Sequence, residues 1–249
     1  MTLRNGLAAL LVLGLLAGNP VRAQTDDAPP HFSADEIKAR RHAGDQAYMA
    51  GDYAEAMRQF MPLAKAGDAW SQNDVATLYQ DGQGVAPDEV EAAKWYQLAA
   101  DQRLATAENT LAVMYDQGQG VAVDHAKALD LLQRAAADGD EYGQNNLATR
   151  YVKGDGVPQD YALAVMWLEK SAKKHFPGAE LQLGDLVRDG HGIAQDDYMA
   201  YVWYTRALRD APRAYYERDR TWFRKAAKAA RAKLAGQLTA AQRAGAENE

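Results

Sequence analysis

Val75-Ala76-Thr77-Leu78-Tyr79-Gln80-Asp81-Gly82-Gln83-Gly84-Val85-Ala86-Pro87-Asp88 is the stretch on which the fold turns. Its Gly-x-Gly-Val centre returns as Gly118-Gln119-Gly120-Val121, Gly154-Asp155-Gly156-Val157 and Gly190-His191-Gly192-Ile193, a constant step of 36 residues. The surrounding positions keep the same register. Val75, Leu111, Leu147 and Leu183 precede the first glycine by seven residues, and Tyr79, Tyr115, Tyr151 and Val187 by three. Asp88, Asp124, Asp160 and Asp196 follow it by six, and Ala92, Ala128, Ala164 and Ala200 by ten. A fixed period of this length marks a repeat architecture.

Each recurring residue has a local job. Val75, Ala76 and Tyr79 share one stripe of a helix, and Ala92, Trp95, Tyr96 and Ala99 share one face of a second. The glycines between them end the first helix and allow positive φ in the turn. The aspartate stands where the second helix starts and suits an N-cap. A helix–turn–helix unit of this size cannot bury both faces alone, so the units must stack. The fold class is therefore all-α: an α-α superhelix, or solenoid, of paired helices.

Working outward, residues 68–211 divide into four units, 68–103, 104–139, 140–175 and 176–211. Upstream, Tyr48-x-x-Gly51 and Ala56 repeat the pattern with a shorter turn, giving a first hairpin over 34–67. The fourth unit carries Gly184, Val187 and Leu181 where the others carry Ala, Tyr and Asn, as a unit facing a cap should. Pro212 breaks the last hairpin. Residues 212–249 then read as capping helices, with Tyr216, Phe223, Ala227, Ala230 and Leu234 as the apolar stripe and a capping box beginning at Thr239.

The pattern Leu-Ala/Gly-x-x-Tyr-x-x-Gly-x-Gly-Val-x-x-Asp-x-x-x-Ala-x-x-Trp-Tyr resembles the Sel-like repeat (SLR) family, a branch of the tetratricopeptide-like α-solenoids. The hairpin over 34–67 is itself tetratricopeptide-like. That resemblance implies a right-handed superhelix and a protein-interaction role, with partners held on the concave face.

The N-terminus carries an address. Arg4 precedes the apolar run Leu7–Ala17, and Val21-Arg22-Ala23 offers a small-residue cleavage site. Eleven apolar residues are too few to span a bilayer, so residues 1–23 read as a secretory signal peptide, followed by a linker at 24–33. The absence of cysteine and of Asn-x-Ser/Thr after it points to a bacterial periplasm. It also excludes disulfides, thiol nucleophiles and cysteine metal sites.

The 249-residue chain has a net charge of −6, against general nucleic-acid affinity. The charge is split. Residues 24–208 hold 16 basic and 29 acidic residues, whereas 209–233 hold 9 basic and 3 acidic, so the C-terminal helix could dock an acidic partner.

No catalytic motif and no cofactor motif occurs. The Gly-x-Gly turns lack the preceding strand and third glycine of a dinucleotide loop. The five histidines show no metal-ligand spacing, and Asp81, Asp116, Asp155 and Asp189 read as solvated acids near the turns. The first helices offer Asn73, Asn109 and Asn145 at the 36-residue step, flanked by Gln72, Glu108 and Gln144. Equally spaced amides on a concave face can hydrogen-bond an extended peptide backbone. The expected function is a protein-interaction scaffold. A cell-wall-related enzyme or small-ligand binder, and a self-associating structural protein, are the alternatives.

Overall fold

In the computed structural model, which describes residues 31–213 and 217–249, the repeat becomes a stack of helical hairpins. The leader expected at 1–23, residues 24–30 of the expected linker, and Tyr216 of the apolar stripe lie outside the described residues. Helix α1 (Ala34–Met49) pairs with α2 (Tyr53–Lys65), α3 (Ala69–Asp81) with α4 (Glu89–Asp101), and α5 (Ala105–Gln117) with α6 (His125–Ala137). Next come α7 (Glu141–Lys153) with α8 (Tyr161–Ala172), and α9 (Pro177–Asp189) with α10 (Asp197–Asp210). A short 3-10 turn (Ala211–Arg213), α11 (Glu217–Leu234) and α12 (Ala240–Ala246) complete the described chain. Every helix from α1 to α10 packs on its successor, the contact pattern of an all-α superhelix.

The turn chemistry is repeated in detail. Asp88, Asp124, Asp160 and Asp196 are N-caps whose carboxylates accept the amides of Glu91, Lys127, Leu163 and Met199. Gly82, Gly118, Gly154 and Gly190 are left-handed C-caps with φ between 65° and 71°. The second glycine does different work. A Cβ on Gly120 would lie 2.0 Å from the Glu89 carbonyl oxygen, and one on Gly84 2.6 Å from the Tyr53 carbonyl carbon. The turns at Gly84, Gly120 and Gly192 rest on the first residue of the even-numbered helix one unit back, and only glycine permits that approach, whereas the turn at Gly156 stands clear.

The interior is built from the periodic residues. Ala92, Ala128, Ala164 and Ala200 are fully buried, and so are Tyr96, Leu132, Leu168 and Tyr204 at the next helical turn. Gly184 is explained by its own hairpin: the Tyr204 ring lies where a Cβ would be, 2.4 Å away at Cε1. Helix α11 packs on α10 and α9. It buries Phe223, Ala227 and Leu234, with Phe223 edge-on to Phe176 at 5.7 Å.

Candidate functional site: the inner groove

The odd-numbered helices form the inner side of the curve, and α5 touches α7 directly. Between them runs a groove of about 600 Å³. Asp45 and Tyr48 come to it from α1, Trp70, Asn73 and Asp74 from α3, Asn109 and Thr110 from α5, and Glu141 and Tyr142 from α7. Arg213, after α10, also lines it. A second recess of about 410 Å³ lies under α11, lined by Asn145, Gln182, Trp222 and Phe223.

The asparagine ladder is therefore divided. Asn73 and Asn109 share the main groove, and Asn145 lines the second recess. Part of its hydrogen bonding is spent within the stack. Asn109 Oδ1 accepts from Asn146 Nδ2 at 2.9 Å, and Asn145 Oδ1 accepts from Gln182 Nε2 at 2.9 Å. These bonds join each inner helix to the next, so the ladder braces the groove wall as well as lining it.

Gln72, Glu108 and Gln144 do not flank the groove: they are buried in the seams between units. The reason is a recurring acceptor. The last-turn carbonyls of α2, α4 and α6 each take an amide of the following turn, from Gly67, Arg103 or Gly139, and still present a second lone pair to the seam. Gln72 Nε2 donates to Ala64 O at 3.1 Å, and Gln144 Nε2 donates to Ala136 O at 3.2 Å. Glu108 has no donor, and its unit supplies one: Arg134 Nη2 reaches Ala100 O at 2.9 Å and Glu108 Oε1 at 2.5 Å. The fourth unit repeats the charged version with Glu180 and Arg206, but at 3.6 Å. Burial and the neighbouring Asp210 push Glu180 up to about 8. The sequence carried a signal for this, because Leu98, Arg134, Lys170 and Arg206 also recur at 36 and arginine appears only in the units that bear Glu.

The turn acids are mostly tied. Arg150, buried, pairs with Asp116 of the unit before it and with Asp155 at 3.1 Å, and Asp189 accepts from Arg188 at 2.7 Å. Trp70, Asp74, Asp140 and Tyr142 are the groove residues that periodicity did not single out. The positions equivalent to Asp74 hold Thr110, Asn146 and Gln182, so its charge is peculiar to one unit.

The groove is acidic and aromatic. Burial pushes Asp74 up to about 7, helped by Asp45 and opposed by a hydrogen bond from Asn73. Burial also raises Asp140 to about 6, against the amide of Gly143 that it caps. Trp70 remains 47% exposed, with the Arg41 guanidinium 5.4 Å from its ring centroid. On α11 the basic residues Arg224, Lys225 and Lys228 face solvent, while Arg231 is bound by Tyr201 and Glu247. Among the described residues no helix is long and apolar enough to cross a membrane.

Comparison with known proteins agrees with this geometry. The Sel1 repeat family pattern matches residues 71–104, 105–140, 141–176, 177–211 and 220–230, more than half of the chain. The fifth match falls inside α11. A Sel1 repeat protein from Oxalobacter formigenes superposes with a TM-score of 0.59 at 24% identity, over 74% of this chain and 83% of that one. A protective antigen of uropathogenic Escherichia coli with an SLR fold gives 0.53 at 24% identity, over 85% of this chain and 51% of that one, so the chain spans about half of its length. The immunity protein Pa5087 of Pseudomonas aeruginosa gives 0.52 at 16% identity, over 84% of this chain and 85% of that one. At these identities the likeness is one of fold. No curated protein matches the sequence. Four consecutive matches in the register of the helical hairpins place the chain in the Sel1 repeat family.

Proposed function

We propose that the chain is an exported, periplasmic scaffold whose inner groove holds an extended segment of a protein partner rich in basic side chains. One observation carries the reading: four inner helices converge on a groove of about 600 Å³ that combines backbone-binding amides with acids, the exposed ring of Trp70 and the half-buried ring of Tyr142. Asn73 and Asn109 serve the peptide backbone. Asp45, Asp74 and Glu141 favour cationic side chains, and Trp70 and Tyr142 offer rings on which such side chains stack. The leader at 1–23 and the lack of cysteine support export.

The test is a photo-crosslinking residue placed at Thr110 in the groove or at Gln133 on the exposed face of α6. One protein captured from Thr110 and not from Gln133, with lower yield in Trp70→Ala, supports the scaffold. Equal capture from both positions refutes the groove as its seat. The raised acids Asp74 and Asp140 favour the other reading, a small-ligand or cell-wall enzyme site. Turnover of cell-wall fragments by pure protein, lost in Asp74→Asn, would establish that instead.

A further inference from the structure

At the seam between the last two repeat units, stacking brings together three groups distant in sequence. His175 Nδ1 lies 2.9 Å from Asp210 Oδ2, and one ligand atom each from His175, Glu180 and Asp210 falls within 4.8 Å of the others. Glu180 is 0% exposed, and neither of its carboxylate oxygens has a hydrogen-bond partner. An orphaned buried carboxylate is costly and calls for a partner.

The chain contains its own comparison. Two units earlier the equivalent positions are Arg103, Glu108 and Asp138. There the Arg103 guanidinium sits between the acids, 2.7 Å from Asp138 and 3.6 Å from Glu108, while Arg134 bonds Glu108 at 2.5 Å. In the last seam both acids persist but His175 replaces the bridging arginine. The remaining arginines stand off: Arg206 Nε is 3.6 Å from Glu180, and Arg213 and Arg209 Nε are 3.5 and 3.8 Å from Asp210 Oδ1. The Oδ2 face of Asp210 is left to His175, and among the described residues Glu180 keeps only the long contact of its Oε1 with Arg206, its Oε2 facing no cation.

The backbone adds a second mark. His175 has φ +61°, and Arg103 at the equivalent position has +65°, where Gly67 and Gly139 take the left-handed conformation freely; both side chains reach the acids of their seam. A side chain kept there against its backbone preference is a pointer to use.

We propose that His175, Glu180 and Asp210 bind one first-row divalent cation, of which zinc is the fitting probe. One imidazole nitrogen and two carboxylate oxygens are a borderline donor set that suits Zn²⁺ better than Ca²⁺ or Mg²⁺. Three protein ligands leave a position for water. The half-exposed His175 ring provides the route in. The bound cation does at this seam what Arg103 does at the earlier one, and clamps the final repeat to its predecessor.

The experiment uses the full chain stripped with chelator and titrated with Zn²⁺ by calorimetry, with Co²⁺ absorption as the spectroscopic readout. His175→Arg and Glu180→Gln are the variants, because the repeat itself uses Arg103, Gln72 and Gln144 at those places and both should fold. The expected result is one saturable site per chain, a rise in Tm on binding, and an affinity lower by more than about 100-fold in both variants. Metal-free His175→Arg should melt no lower than the metal-free parent. Absence of a one-to-one site in the parent overturns the proposal. So does zinc binding that survives in both variants, which would place the ion on one of the other histidines.

Discussion

Gly120→Ala and Gly156→Ala form a pair that separates two reasons for a glycine. Both residues sit in the second glycine position of the turn, with φ of +66° and +73°. An alanine held in the left-handed region costs about 1–2 kcal/mol, and this applies to both. The surroundings differ. A Cβ on Gly156 meets nothing closer than Leu129 Cδ2 at 3.7 Å, an ordinary contact, whereas one on Gly120 lies 2.0 Å from the Glu89 carbonyl oxygen. The third turn must therefore retreat from α4 by more than about 1 Å, and such overpacking adds about 1–3 kcal/mol. At about 2–4 °C per kcal/mol for a chain of this size, Gly156→Ala should lower Tm by about 4 °C and Gly120→Ala by about 10 °C. Thermal melts followed by helical circular dichroism, repeated in urea, measure the difference. Equal losses would refute the assignment of the second glycine to inter-unit approach and leave only its φ.

The seam gives a second prediction. Arg134→Leu strands Glu108 in the interior and should cost about 3–5 kcal/mol, while Glu108→Gln with Arg134→Leu, the residues of the first seam, should recover most of it in urea unfolding. The groove gives a third. Asp74 is raised from 3.8 to about 7 among Asp45, Asp68 and Arg41, so the folded chain holds this proton more tightly than the unfolded one. The acid therefore erodes stability as pH rises from about 4 to 7, by up to about 1.4 kcal/mol per pH unit. Asp74→Asn removes that decline, so its advantage over the parent should grow through this window and level off above it. A constant difference between the two across pH would count against the burial of Asp74.

The repeat was legible because its residues act locally. Glycine at the C-cap, aspartate at the N-cap and alanine at the helix crossing each do the same job in every copy, so the 36-residue step exposes them. The two neighbouring positions 72 and 73 show where such reading stops. They share the period, yet adjacent residues on a helix point about 100° apart. One enters the seam and the other the groove, and the side is decided by packing. Trp70 and Asp74 were missed for the opposite reason: no equivalent of Asp74 carries a charge, and the ring of Trp70 returns only at Tyr142, two units on, with Thr106 and Gly178 at the other copies. His175 and Asp210 lie 35 residues apart, a spacing that means nothing until two hairpins are stacked.

The seam has a consequence for how such a chain can grow. Gln72, Gln144 and Arg134 call on the preceding unit for a backbone carbonyl of an alanine, and the arginine that bonds Glu108 at 2.5 Å belongs to Glu108's own unit, with Arg103 of the unit before it farther off at 3.6 Å. Main-chain oxygen is the same whatever residue bears it. A hairpin that carries its own charge balance and docks onto a neighbour's backbone can be copied and inserted beside almost any other hairpin of the series. Duplication then needs no matching change next door, and the length of the array becomes free to vary while the wall of the groove diverges.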